Sequence, residues 1–308
     1  MAHFLITGGT GLVGSALTQQ LLGVGHAVTV LTRNPRSTQS VGSALQFRHW
    51  DPSKQQIDET AIRSADYLVH LAGANVADKR WTAQRKQEIL TSRVQSGAFL
   101  VECLRTIPNQ VQAVLGASAQ GWYGADPELP NPIPFVETDP ACDDFLGNTC
   151  RLWEQSLQPV AAMGIRLIQL RIGIVLSKQG GALAEFIKPV RFGIIPVLGN
   201  GKQVISWIHI SDLTRMIEWS LLQQSVHGIY NAAAPEPVSN KVLMRSLASV
   251  CRRPFIPIPV PGFLLKWILG EMSIEVLKST TMNVDKMQRA GFAFRFTRVK
   301  DALVDLLK

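Results

Sequence analysis

The sequence predicts an α/β fold: a doubly wound parallel sheet of six or seven strands with a smaller, interleaved C-terminal lobe. Three observations carry this. The first apolar run, Phe4-Leu5-Ile6-Thr7, breaks into a loop with glycines at 8, 11 and 14, then continues as an amphipathic run from Leu12 to Leu22. Short β-rich runs alternate with helical stretches through residue 175. After Arg171 the alternation loosens into glycine-punctuated loops and a helical, proline-rich tail.

The elements follow in order. Strands are expected at 3–7, 27–31, 45–50, 67–71, 111–117 and 165–171, with helices at 12–22, 83–104 and 148–163 between them. Continuous apolar strands separated by helices imply a parallel sheet covered on both faces, with the ligand at the carboxyl ends of the strands. Gly180-Gly181, Phe192-Gly193 and Gly199-Asn200-Gly201 punctuate the next stretch. A strand over 204–210 and a last core strand over 226–234 return to the sheet. Pro254, Pro257, Pro259 and Pro261 form an extended linker, and 262–308 reads as two or three helices. The resulting division is 1–175 with 204–234 as the dinucleotide-binding domain, and 176–203 with 235–308 as the second lobe.

A strand, a glycine turn and a helix form a phosphate cradle. Glycines let the backbone turn tightly and approach a pyrophosphate, and the helix N-terminus offers free N–H groups and a positive dipole end. Gly8, Thr10, Gly11, Leu12, Val13 and Gly14 are the residues assigned to it. The second strand ends in Thr32-Arg33-Asn34, where an NAD-preferring fold places an Asp or Glu for the ribose hydroxyls. No carboxylate stands there. Arg33, with Arg36 following, can pair with a 2′-phosphate through charge-assisted bonds, so the expected cofactor is NADP(H). Asp51, after the third strand, can accept the adenine amino group or simply occupy an exposed turn. Leu71-Ala72-Gly73 ends the fourth strand in small residues that admit the cofactor's middle. Ala117 and Ser118 close the fifth strand near the nicotinamide position, where Ser118 either bonds a substrate oxygen or satisfies its own backbone.

Composition narrows the partners. The net charge of +8, from 31 basic and 23 acidic residues, favours an anionic ligand. The basic residues are scattered and no nucleic-acid motif stands out, so a small anionic substrate is expected, not nucleic acid. No apolar stretch is long enough to span a bilayer, and no signal peptide is apparent. Four cysteines with no CxxC pattern and no metal-like His cluster argue for a reducing compartment and no metal site; the expected localisation is cytoplasmic.

TGGTGLVG at 7–14, LAGA at 71–74, Ser118 with Trp122-Tyr123-Gly124, LRIGIVL at 170–176 and WIHISDL at 207–213 together resemble the extended short-chain dehydrogenase/reductases, the nucleotide-sugar epimerases and dehydratases. ADKRW at 77–81, Ser92-Arg93, Trp153-Glu154 and AGFAFR at 290–295 look more closely like the "epimerase family protein" branch, which has its own C-terminal helical domain. The resemblance spans essentially the whole chain. It implies a Rossmann domain, a nicotinamide cofactor and a possible homodimer through helices that include 148–163.

One departure stands out. Superfamily enzymes use a Tyr-x-x-x-Lys pair, in which the lysine lowers the tyrosine's pKa so that it can exchange a proton as hydride moves. Aligning on Glu154 puts Leu146 at the tyrosine site and Cys150 at the lysine site, and no Tyr-x-x-x-Lys occurs anywhere in the chain. Tyr123 is a candidate acid, with a packing role as the alternative. Cys150 is either a thiol nucleophile or a buried small hydrophobe. Lys79, Arg80 and Arg93 read as a cationic clamp on phosphates or an acidic substrate, or as solvated charge. His209 and Asp212 read either as a catalytic dyad at i and i+3 or, as the resemblance implies, as a lock of the second lobe to the sheet in which Asp212 caps the following helix. Arg171 falls where relatives build the pocket wall and the far end of the cofactor cleft, and the 193–201 loop could close over a substrate. Two functions remain open: an NADP-dependent oxidoreductase or epimerase-like enzyme on a small anionic or nucleotide-linked substrate, or an NADPH-binding sensor without turnover.

Overall fold

The computed structural model describes residues 1–35 and 44–308, so Arg36 lies outside the described residues. The first half runs β1 (His3–Thr7), α1 (Leu12–Gly23), β2 (Ala27–Thr32), β3 (Leu45–Asp51), β4 (Gln56–Ile57), α2 (Glu59–Arg63), β5 (Tyr67–His70), α3 (Ala83–Thr106), β6 (Ala113–Ala119), α4 (Phe145–Leu157), α5 (Pro159–Ala162) and β7 (Arg166–Ile172). The second half runs β8 (Ile174–Leu176), α6 (Ala182–Arg191), β9 (Ile195–Leu198), β10 (Val204–Ile205), β11 (Trp207–His209), α7 (Ile210–Leu222), β12 (Gly228–Ala232), β13 (Val238–Ser239), α8 (Asn240–Val250), β14 (Pro257–Val260), α9 (Gly262–Leu269), α10 (Ser273–Leu277), α11 (Asp285–Arg289) and α12 (Val299–Leu307).

The main sheet has the order β12-β7-β6-β5-β1-β2-β3-β4. Every neighbouring pair is parallel except β3 with β4, a short antiparallel edge. The strand order reverses at β1, which opens a crevice at the carboxyl ends of β1 and β5. Both faces are covered, as near-continuous apolar strands require. On one face Leu17 and Leu21 of α1 and Leu213, Met216 and Ile217 of α7 pack on Phe4, Ile6 and Ile168. On the other, Ile62 of α2 and Leu100 and Leu104 of α3 pack on Leu5, Leu68 and Val114. A third core joins Leu183 and Ile187 of α6, Leu243 and Leu247 of α8, and Leu303 and Leu306 of α12. Met287 and Phe292 return instead to the first core, which ties the tail back to the sheet.

Four elements differ from expectation. The fifth expected strand, 111–117, forms two residues later as β6, so Ser118 sits inside it and not just past its end. The expected helix over 148–163 begins at Phe145, capped by Asp144, whose carboxylate accepts from Gly147 N at 2.7 Å. It divides before Pro159, which has no N–H to continue the ladder. The 204–210 run breaks at Ser206, where the chain changes partners: β10 pairs antiparallel with β13 and β11 parallel with β8. The terminal unit holds four short helices, α9 to α12, among the described residues.

Candidate cofactor cleft and the polar network beneath it

The turn after β1 is shaped by contacts that no side chain tolerates. Gly8 has φ +69°, and a Cβ there would stand 2.8 Å from the Leu71 carbonyl carbon. A Cβ on Gly14 would stand 2.3 Å from Gly8 O. Gly11, the N-cap of α1, supplies no side-chain cap, so no cap side chain occupies the first-turn N–H groups. Thr10 and Gly11 are exposed, Leu12 and Val13 half-buried. This cradle fits a pyrophosphate in shape and in donor chemistry.

Beside it lie the ends of β2 and β3. Thr32 Oγ1 accepts from Asn34 N at 3.4 Å, and Arg33 is exposed. Asp51 accepts from Ser53 N at 3.1 Å and Ser53 Oγ at 2.6 Å. These bonds hold its carboxyl below the usual range, helped by the charges of Lys54 and Arg33. Thr32 stands opposite His49 in the parallel pair β2/β3, so Arg33 and Asp51 leave neighbouring strand ends on one rim.

At the end of β5, Ala72 N donates to Thr7 Oγ1 at 3.3 Å, and the Thr7 hydroxyl lies 2.8 Å from His70 Nδ1. Ser96 Oγ, which donates to Ser92 O, lies 3.2 Å from His70 Nε2. The network so places the proton on Nε2 and the lone pair on Nδ1. Burial, reinforced by Arg93, pulls this imidazole down to about 4. Arg93 reaches over the same region, donating to Ala74 O at 3.0 Å and Ile89 O at 2.9 Å. Its guanidinium lies 4.8 Å from the Trp153 ring, and a Cβ on Gly73 would touch it at 3.1 Å. Burial brings Arg93 down to about 10. Its Nη1 donors are thus held by backbone carbonyls.

Ser118, Tyr123 and Arg171, far apart in sequence, meet in one buried network. Ser118 Oγ donates to Glu154 Oε1 at 2.7 Å. Arg171 binds the same carboxylate with two prongs, Nε to Oε1 at 2.9 Å and Nη2 to Oε2 at 3.0 Å. Arg171 Nη1 donates to the Tyr123 hydroxyl at 3.1 Å and to Glu137 O at 3.0 Å, and the guanidinium stacks 3.6 Å from the Trp122 ring. Tyr123 in turn donates to Asn231 Oδ1 at 2.7 Å and stacks on Phe135. These placements bear on three sequence expectations. Tyr123 is fully buried, and burial pushes its phenol up to about 12, so it holds its proton instead of exchanging it. Arg171 is buried, and its donors go to Glu154, Tyr123 and Glu137. Ser118 donates to Glu154 and not to its own backbone. Sequence reasoning noted Glu154 only as an alignment mark; its burial against an arginine on β7 has no local sequence signature.

Above the network, Leu146 and Cys150 lie four residues apart on α4. Both face Gly121, where an added Cβ would lie 3.0 Å from Leu146 Cβ and 3.7 Å from Cys150 Sγ. Cys150 points at Ala119 O, and burial pushes its thiol up to about 12, which removes it as a nucleophile at neutral pH. His209 and Asp212 stand elsewhere, at the α7 N-terminus: His209 caps Ser211 N, and Asp212 accepts from Arg295 N and Phe296 N. Asp212 pins the tail, as expected of a residue that locks the second lobe, but the cap of α7 is His209 and not the aspartate. Lys79 is exposed, while Arg80 donates to Trp267 O in the C-terminal unit.

A family model for the NAD dependent epimerase/dehydratase family matches residues 4–233. This chain belongs to that family. Residues 260–306 of this family member match a domain of unknown function, DUF1731. An epimerase family protein of Staphylococcus aureus is 33% identical over 313 residues, with both chains covered in full. Epimerase family protein YfhF of Bacillus subtilis is 34% identical over 306 residues, covering 99% of this chain and 98% of its own. Among solved structures, human epimerase family protein SDR39U1 (isoform 2) with NADPH superposes with a TM-score of 0.86 at 26% identity, covering 99% and 98% of the two chains. A nucleoside-diphosphate sugar epimerase of Corynebacterium glutamicum gives 0.77 at 29%; there this chain spans 58% of the longer protein. Among the described residues of this epimerase-family chain, no helix is long and apolar enough to cross a membrane.

Proposed function

We propose that this family member is an NADP(H)-dependent oxidoreductase or epimerase-like enzyme acting on a small anionic substrate in the cytoplasm, without the Tyr-x-x-x-Lys pair. The observation that carries the cofactor choice is Arg33, exposed at the end of β2, where the strand end itself carries no Asp or Glu to take the ribose hydroxyls. Gly8, Gly11 and Gly14 would cradle the pyrophosphate, Thr32 and Arg33 the 2′-phosphate, and Asp51 the adenine. Leu71, Ala72, Gly73 and Ala117 would border the middle of the cofactor. The likeness to a human relative solved with NADPH supports the same reading. NADP(H), when bound, donates or accepts hydride.

A second reading, an NADPH sensor without turnover, is favoured by one specific observation. The side chains best placed near the end of β6 hold their protons: Ser118 and Tyr123 are committed to buried acceptors, and Leu146 has none to give. Acid/base work would then fall to substrate groups or water.

One experiment tests both. NADPH and NADH affinities are measured by fluorescence for wild type and Arg33→Asp, and turnover of NADPH is followed in fractionated cell metabolites. Selective loss of NADPH affinity in the variant, with turnover abolished, supports the enzyme. Equal effects on both cofactors overturn the NADP assignment. Selective binding with no turnover in any fraction favours the sensor.

A further inference from the structure

Arg93 leaves the middle of α3 and turns its guanidinium toward the exit of β5. Nη1 donates to Ala74 O at 3.0 Å and Ile89 O at 2.9 Å, and the Trp153 ring of α4 supports the head from 4.8 Å. Gly73 makes room for it, since a Cβ there would stand 3.1 Å from Cζ and 3.3 Å from Nη1. The head is thus fixed before any ligand arrives. Arg85, earlier on the same helix, holds Glu88 Oε2 at 2.6 Å. Arg93 has no such partner: among the described residues, its ionisable neighbours are Arg85, of like sign, and the Cys150 thiol, neutral at pH 7. A half-buried cation without a counter-charge is costly, and an arriving anion offsets that cost.

Two features define that anion. Arg93 Nε and Nη2 meet no acceptor among the described residues, and neither is sealed from solvent. Together they form the side edge of the guanidinium, whose parallel N–H groups match two oxygens of one carboxylate or phosphate. The sheet order β6-β5-β1-β2 sets the second feature. Arg33 follows β2 and Arg93 packs at the exit of β5, so the two flank β1 from opposite sides. With the pyrophosphate at the glycine turn after β1 and the 2′-phosphate at Arg33, Arg93 is left for an anion the cofactor does not carry. We propose that Arg93 binds the anionic group of the substrate, a carboxylate or phosphate held side-on by Nε and Nη2 on the β5–α4 side of the crevice. This rests on the enzyme reading above and gives its substrate's anion to one residue.

The test titrates the full chain, with and without saturating NADPH, with acetate and with inorganic phosphate at constant ionic strength, read by the thermal unfolding midpoint. Wild type should show a saturable rise with at least one of the two, which names the group. Arg93→Met should weaken that binding about tenfold or more, the worth of a charge-assisted hydrogen bond. Arg93→Lys keeps the charge without the side edge and should fall between them; it decides the matter if Arg93→Met does not fold. Arg105→Met, which removes an exposed charge from the end of the same helix, should match wild type. No saturable rise in wild type with either anion overturns the proposal, as does equal binding in wild type and Arg93→Met. NADPH affinity, read in parallel, separates the two claims. Its loss in Arg93→Met alone would return this arginine to the cofactor and overturn the proposal. Its absence from wild type defeats the cofactor reading, while the anion series without cofactor still judges Arg93.

Discussion

Arg171 and Glu154 form a two-pronged ion pair, at 2.9 and 3.0 Å, with side chains only 1% and 4% exposed. The pair joins β7 to α4 directly beneath the end of β6, and it organises Ser118 and Tyr123 around it. Its partners satisfy nearly every donor of the guanidinium, which is what permits such a charge to be buried.

Removing one member should therefore be costly. Glu154→Leu leaves Arg171 buried without its counter-charge and Ser118 without its acceptor, and is expected to lower stability by about 3–5 kcal/mol in urea unfolding. The double variant Arg171→Leu/Glu154→Leu should lose clearly less than the sum of the two single changes. Strict additivity would show that the pair does not act as a unit.

The glycine turn separates stability from binding. Gly14→Ala places a Cβ against Gly8 O at 2.3 Å, so the turn must shift. We expect a loss of about 1–3 kcal/mol in stability, together with loss of detectable NADPH binding. Gly164→Ala provides the comparison: its φ of +79° strains the backbone, but a Cβ there meets nothing within 4 Å. It should cost stability while leaving NADPH affinity intact, as read by isothermal titration.

His70 gives the fold a defined acid sensitivity. Burial, with Arg93 nearby, keeps it neutral in the folded protein down to about pH 4, whereas its ordinary value is 6.5. The unfolded chain binds the extra proton between these values. The stabilisation is thus complete above about pH 6.5 and is lost as pH falls toward 4, on the order of 3 kcal/mol in all. Urea midpoints measured across this window should fall with pH in wild type, and His70→Gln should flatten that slope. An unchanged slope would remove His70 as its source.

Thiol reactivity should follow exposure. Cys103 and Cys150 are buried and pushed up to about 11 and about 12, while Cys142 and Cys251 are half-buried and free. Brief alkylation of the native protein at neutral pH, read by peptide mass spectrometry, should label Cys142 and Cys251 first. Early labelling of Cys150 would contradict the closed packing of α4 on Gly121 and Ala119.

Local signals carried much of the fold. The run from Phe4 to Gly14 specifies strand, turn and helix within a dozen residues, because glycine spacing and apolar periodicity act through backbone sterics and neighbouring side chains. The absence of any Tyr-x-x-x-Lys and the arginine after β2 are likewise plain in the sequence. Tertiary structure decided what depends on distant partners. Val204–Ile205 and Trp207–His209 separate only because Ser206 sits where two different strands compete for the chain, its carbonyl accepting from Ile174 N and its hydroxyl donating to Thr280 O. Tyr123 reads as a candidate acid in sequence, but Asn231 and Arg171 close over it from β12 and β7. Burial and charge pairing are properties of those long-range contacts, and they set which protons can move.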